Sequence, residues 1–191
     1  MKISARSLAL CVILALSMAT PCFAGDPPGY QRSVENYVVP DVVLINQNGE
    51  RVRLKDVLEI DQPVILDFIY GTCTTICPVL SAGFANLQRK LAKEGRQVRL
   101  VSITIDPEND TPKVMKEYLE RYRALPGWDF LTGSRADIDQ VMTAFDAYIP
   151  DKMAHYPLNM IRDPQHGTWV RLFGILSSRE FMAEYQPLVK P

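Results

Sequence analysis

Nearly continuous apolar runs alternate with amphipathic stretches along this chain. The runs at 64–70 (VILDFIY) and 98–105 (VRLVSITI) are typical of strands that are buried on both faces. Between them, apolar residues recur every three or four positions over 79–93, and Gly95 ends that pattern. Strand, helix and strand in this order predict a βαβ unit with parallel strands.

The remaining pattern extends this unit on both sides. Asn48-Gly49 between two short apolar runs predicts a hairpin, and the turn at 163–167 predicts a second one. Helices are predicted over 112–122, 134–148 and 178–185, with a short strand at 128–133. We therefore expect one α/β domain over 37–191, in which helices flank a central mixed sheet and an N-terminal β-hairpin precedes it.

The N-terminus differs from the rest of the chain. Lys2 and Arg6 precede an uncharged run at 8–19, which suits a signal peptide and is shorter than the ~20 residues needed to span a bilayer. We expect cleavage after Ala24, so that 1–24 is a signal peptide and 25–36 a flexible leader. An uncleaved anchor and acylation of Cys22 are the alternatives.

Charge and cysteine content narrow the possible functions. A net charge of −1 gives no basic field for nucleic acid, so no nucleic-acid partner is expected. Cys11 and Cys22 would leave with the signal peptide, which leaves only Cys73 and Cys77. A disulfide within this short loop would close too small a ring to stabilise the fold much. The pair is therefore expected to be reactive or metal-binding.

The two cysteines lie in FIYGTCTTICP (68–78), where the first central strand meets its helix. Pro78 suits a first helical turn, which places Cys77 at or beside the N-cap and predicts a depressed Cys77 pKa. Two thiolates select soft metals, Cu(I) above all, with zinc possible. Of the two histidines, His155 precedes a predicted strand and is the candidate third ligand. His166 lies in a turn and is expected at the surface.

Four segments in order resemble the Sco (SenC) family: FIYGTCTTICP, ITIDPENDTP at 103–112, GWDFLTGS at 127–134, and His155 before a strand and a DP-x-x-G turn. The resemblance runs from about Val38 to the C-terminus. It implies a thioredoxin-like fold with a copper site made of Cys73, Cys77 and His155. It also implies delivery of copper to the CuA centre of cytochrome c oxidase, or reduction of the cysteines of that centre.

Two positions depart from the family pattern. Family members often carry Asp between the cysteines and directly before the histidine, whereas this chain has Thr74-Thr75-Ile76 and Ala154. Loss of a carboxylate beside the imidazole can change metal affinity by about 10–100-fold. Asp151 or Asp106 could take its place.

The sequence thus predicts an exported, periplasmic copper metallochaperone, associated with the inner membrane only through an uncleaved N-terminus. Its expected partner is the oxidase subunit carrying CuA, or another exported copper or thiol protein. The alternative is a thiol–disulfide oxidoreductase in which Cys73, exposed in its loop, or Cys77 attacks without metal, so enzyme status is uncertain and leans towards none. Peroxide reduction is a weaker alternative, because Tyr70 stands where peroxidatic loops carry proline. Met153 lies two residues before His155 and could approach the ion, but a position in the core is expected for it.

Overall fold

The computed structural model describes residues 29–96 and 98–189. The predicted signal peptide at 1–24, with Cys11 and Cys22, lies outside the described residues, as does the start of the predicted leader. The described strands are β1 Tyr30–Glu35, β2 Val43–Asn46, β3 Arg51–Arg53, β4 Val64–Ile69, β5 Arg99–Thr104, β6 Trp128–Thr132, β7 Leu158–Arg162 and β8 Trp169–Gly174. The described helices are α1 Leu54–Leu58, α2 Cys77–Lys93, α3 Pro112–Arg121, α4 Arg135–Ala144 and α5 Ser178–Tyr185.

The strands form one mixed sheet in the order β1-β8-β7-β4-β5-β6-β2-β3. The central strands β4, β5 and β6 run parallel, and all other neighbouring strands are antiparallel. Every residue of β4 is buried, which explains its nearly continuous apolar sequence. The predicted α/β class, the central mixed sheet and the N-terminal hairpin β2–β3 are confirmed.

Aromatic contacts show how helices cover both faces of the sheet. On one face, Phe84 of α2 packs edge-on against Trp128 of β6 and Phe181 of α5. On the other face, Phe145 at the end of α4 contacts Phe68 of β4 and packs edge-on against Trp169 of β8. The buried apolar core therefore lies on both sides of the central strands, and β4 is held between two helical layers.

Three of the described helices begin where a side chain binds the free N–H groups of the first turn. Thr111 accepts a hydrogen bond from the Val114 N–H at the start of α3, and Ser134 accepts one from the Asp137 N–H at the start of α4. At the start of α5, Ser177 and Glu180 form a reciprocal capping box. Within residues 29–96 and 98–189, no helix is long and apolar enough to cross a membrane.

The predicted leader needs correction, because its second half is a strand. Tyr30–Glu35 forms β1 and pairs along its whole length with β8. The sequence YQRSVE carries few apolar residues, so the apolar pattern did not reveal it. Side-chain contacts with α5 fix its position instead: the Tyr30 hydroxyl and the Arg32 guanidinium both donate hydrogen bonds to the Glu184 carboxylate.

Candidate metal centre

The two cysteines lie at the carboxyl end of β4, where sites in open α/β sheets are usually found. Cys73 belongs to the loop after β4, and Cys77 is the first residue of α2, with Pro78 following it. Both are free thiols, and both are buried. The expectation that Cys73 is exposed is therefore wrong. The loop folds back on the helix start, so that the Cys77 N–H points at the Cys73 sulfur, 3.4 Å away.

His155 reaches the same place from the other side of the site. It follows the 3₁₀ turn Lys152–Ala154 and precedes β7. Its Nε2 donates a hydrogen bond to the Phe68 carbonyl at 2.6 Å, and its Nδ1 lies 3.6 Å from the Cys77 sulfur. Burial lowers the pKa of His155, so the ring is neutral near pH 7. The Nδ1 lone pair is then directed at the cysteine pair.

The ligand atoms of Cys73, Cys77 and His155 all lie within 4.8 Å of one another. Two sulfurs and one neutral imidazole nitrogen at this separation form a soft donor set, suited to Cu(I) and acceptable to Zn²⁺. The three residues come from two distant parts of the sequence, and the sheet brings them together. The three residues expected as ligands from the sequence thus lie together, and His166 is not part of this group.

The two thiols differ in acidity, in the opposite sense to the sequence expectation. Burial opposes ionisation of Cys73, but hydrogen bonds from the Cys77 thiol and from the N–H groups of Cys77 and Thr75 outweigh it, and the pKa of Cys73 falls to about 7. Burial, together with the neighbouring Cys73 sulfur, raises the pKa of Cys77. The start of α2 therefore stabilises a thiolate on Cys73, not on Cys77.

A buried carboxylate fixes the loop that carries Cys73. Both oxygens of Asp110 accept a hydrogen bond from the Gly71 N–H at 3.0 Å, and Thr104 donates another to the same carboxylate. Thr111 caps α3, and the neighbouring Asp110 joins Thr104 of β5 to the cysteine loop.

Asp106 acts on the histidine side of the site without touching His155. Its carboxylate accepts hydrogen bonds from the Lys152 ammonium at 2.6 Å and from the Asn109 amide. Lys152 begins the turn that ends at His155, so this ion pair fixes the path of that turn. Asp151 accepts a hydrogen bond from the Met153 N–H instead. Among the described residues, Nε2 of His155 is thus hydrogen-bonded to the Phe68 main-chain carbonyl. Neither Asp106 nor Asp151 takes the place of the carboxylate that family members often carry before the histidine.

His166 and Met153 are two further side chains whose positions were predicted from the sequence. His166 is exposed in the turn between β7 and β8 and lies 2.6 Å from the Asp163 carboxylate, as expected for a surface turn residue. Met153 is exposed, not in the core as predicted, and its sulfur accepts a hydrogen bond from the Tyr70 hydroxyl at 3.8 Å. Sequence reasoning missed Asp110, Lys152 and Tyr70 as parts of the site, although Tyr70 and Asp110 lie within the segments that resemble the family.

The comparison with protein families agrees with this arrangement. The family model for SCO1/SenC matches residues 31–185, which includes both cysteines and His155. The chain belongs to the SCO1/SenC family. One relative, the SCO1 protein homolog of Bacillus subtilis, is 38% identical over 117 residues, which cover 60% of this chain and 60% of that relative. The chain spans about three fifths of the length of the curated relatives it matches.

Solved structures of Sco proteins share the fold. BsSco, described as a member of the Sco family of cytochrome c oxidase assembly proteins with a disulfide switch, is 30% identical with a TM-score of 0.67, covering 80% of this chain and 94% of its own. Bradyrhizobium japonicum ScoI with copper bound is 27% identical with a TM-score of 0.64, covering 80% of this chain and 99% of its own. The thioredoxin-like Sco fold of this chain is therefore established.

Proposed function

We propose that this protein is an exported, periplasmic metallochaperone that holds copper on Cys73, Cys77 and His155. It delivers that copper to, or matures, the CuA centre of cytochrome c oxidase. The observation that carries the proposal is the soft donor set, whose three ligand atoms lie within 4.8 Å of one another. Copper bound to a related ScoI, and the oxidase-assembly role given for BsSco, support it.

The chemistry of the donor set explains why the cargo would be Cu(I). Cys73 is the more acidic thiol and supplies a thiolate near neutral pH, while Cys77 loses its proton when the metal arrives. The neutral His155 ring offers Nδ1, because Nε2 is held by the Phe68 carbonyl. Two anionic sulfurs and one uncharged nitrogen suit a soft monovalent ion that must also be released.

The test is an anaerobic Cu(I) titration of the reduced full chain, with metal content measured. We expect about one equivalent of tightly bound Cu(I) per chain, as the one such cluster within residues 29–96 and 98–189 implies. Removing a ligand in His155→Ala should weaken binding by at least about 100-fold, more than the loss of an outer contact typically costs. The matched control is His166→Ala, which should bind like the wild type. Equal affinity in all three proteins would refute the proposed ligand set.

A second candidate function is thiol–disulfide exchange with a partner protein, and the lowered Cys73 pKa favours it. The Cys73 thiolate would attack a partner disulfide and form a mixed disulfide. Cys77 would then attack that bond, release the reduced partner and leave a Cys73–Cys77 disulfide. This reaction needs no metal and no His155. Reduction of a model disulfide at the wild-type rate by copper-free His155→Ala would support it.

A further inference from the structure

Met153 places an exposed thioether beside the candidate centre. Its side chain is 74% exposed, whereas the other methionines of the described chain are buried: Met115, Met142, Met160 and Met182. It lies in the 3₁₀ turn that leads into His155, two residues before the histidine. This exposure leaves the thioether accessible to an ion that approaches the site.

The thioether is held in place rather than merely exposed. The Tyr70 hydroxyl donates a hydrogen bond to the Met153 sulfur at 3.8 Å. The Tyr70 ring also stands edge-on to the His155 ring, with 6.2 Å between centroids. The same hydroxyl interacts with the Cys73 sulfur. A single tyrosine side chain therefore contacts both the Met153 sulfur and the ring of His155.

The turn that carries Met153 is fixed through the two residues that precede it. The Asp151 carboxylate accepts the Met153 N–H at 2.9 Å, and Lys152 is bound to the Asp106 carboxylate at 2.6 Å. The Lys152 ammonium also lies 5.5 Å from the centroid of the Tyr70 ring. These contacts hold the backbone of the turn that presents the thioether.

Burial of the cysteines makes an outer ligand useful. Cys73 and Cys77 are buried and His155 is half-buried, so a copper ion must pass the edge of the site to reach them. A thioether is a soft, neutral ligand that binds Cu(I) without having to lose a proton. Met153 offers such a ligand at an exposed position two residues before His155.

We propose that Met153 is a copper-exchange ligand, whose thioether binds Cu(I) in transit between a donor or acceptor and the Cys73–Cys77–His155 site. This deepens the proposed function and rests on it. During capture, a bond from copper to the Met153 sulfur forms as a donor ligand leaves. Bonds to the cysteine sulfurs and His155 Nδ1 then replace it, the Cys77 proton passes to solvent, and copper remains Cu(I) throughout.

A ligand of this kind has a distinctive kinetic signature. Because Met153 binds copper in neither the free nor the fully loaded state, removing its sulfur should leave the equilibrium affinity unchanged. Capture and release must then slow by the same factor, since their ratio is fixed by that affinity. A resident fourth ligand would behave differently, because its loss would weaken the affinity mainly by speeding release.

The experiment uses the reduced full chain, with Cu(I) supplied as its coloured bicinchoninate complex and transfer followed by stopped-flow absorbance. Met153→Leu removes the sulfur, keeps the apolar bulk and, at an exposed position, leaves the fold intact. Val79→Ala is the matched control, since it trims an exposed apolar side chain in the first turn of α2. We expect Met153→Leu to slow capture and release by about tenfold each, with unchanged affinity and a wild-type rate for Val79→Ala.

A second measurement observes the thioether directly. With methyl-¹³C methionine labelling, the Met153 signal is the one lost in Met153→Leu, and substoichiometric Cu(I) should broaden it while the buried methionine signals stay sharp. Wild-type rates in Met153→Leu, an affinity loss with unchanged capture, or equal slowing in Val79→Ala would each overturn the inference. If wild type binds Cu(I) and His155→Ala does not, those results leave the proposed function standing. If His155→Ala binds like wild type, the proposed function itself fails.

Discussion

Asp67 presents an unusual electrostatic situation in the middle of the sheet. It lies on β4 with a fully buried side chain, between Ser102 of β5 and Asn159 of β7. Neither carboxylate oxygen has a hydrogen-bond partner among the described residues, and the Asn159 amide likewise has none there. Burial raises the pKa of Asp67 from 3.8 to about 7. Ionisation of Asp67 at neutral pH therefore destabilises the folded state relative to the unfolded state.

The sign and size of the effect follow from proton linkage. Between pH 3.8 and about 7 the folded state holds the Asp67 proton and the unfolded state has lost it, so stability falls as pH rises through that window. A shift of about three pKa units corresponds to about 4 kcal/mol when complete. From pH 4.5 to pH 8 this group alone should remove about 3 kcal/mol of the free energy of unfolding.

Asp67→Asn tests this reasoning, because the amide has the same shape and no titration. Urea unfolding of the reduced, copper-free protein at pH 4.5 and pH 8 gives the free energy of unfolding for wild type and variant. The difference between the two proteins should change by about 3 kcal/mol between these pH values, in favour of the variant at pH 8. Any packing cost of the substitution that does not depend on pH cancels when the results at the two pH values are compared.

Asp41→Asn is the matched control, since Asp41 is exposed and paired with Arg53. Its difference from wild type should stay nearly constant with pH, because the solvent screens that pair. A change below about 1 kcal/mol for Asp67→Asn would refute the reasoning, since it would mean that the buried carboxyl keeps a nearly normal pKa.

Three further predictions concern the site and the core. Alkylation of the reduced, copper-free protein by iodoacetamide should label Cys73 before Cys77, with a rate that levels off above about pH 7, as peptide mapping can show; faster labelling of Cys77 would contradict it. Phe145→Ala should lower the free energy of unfolding by about 3–5 kcal/mol in urea titrations, because the buried ring contacts aromatic residues on β4 and β8; a loss below about 1 kcal/mol would contradict the packing. Gly71→Ala should cost about 1–3 kcal/mol in the same assay, because the added Cβ would lie 2.7 Å from Asp110 Oδ1; wild-type stability would show that the cysteine loop can move.

The sequence predicted those elements of the fold whose patterns are local. The all-buried strand β4 follows from an apolar run, and the hairpin β2–β3 follows from Asn48-Gly49. Strand β1 was missed because its sequence is polar and its stability comes from pairing with β8. Its position depends on a partner almost 140 residues away, which no local pattern can reveal.

The candidate site divides in the same way. Family resemblance gave Cys73, Cys77 and His155, and the structure brings their ligand atoms together. The acidity of the two thiols could not be predicted, because it depends on which sulfur receives the N–H groups at the start of α2, and the path of the preceding loop decides that. Asp110 shows the same dependence, since its contact with Gly71 joins segments 39 residues apart.

The hydrogen bond between His155 and the Phe68 carbonyl has a consequence for how this site tolerates mutation. A carboxylate partner for the imidazole can be lost through one codon change, whereas a main-chain carbonyl is present whatever residue occupies position 68. The orientation and tautomer of the His155 ring are therefore maintained even though Ala154 stands where family members often carry Asp. Substitutions around His155 can therefore change the surface charge of the site and the docking of a partner protein. Nδ1, which faces the cysteines, keeps its lone pair.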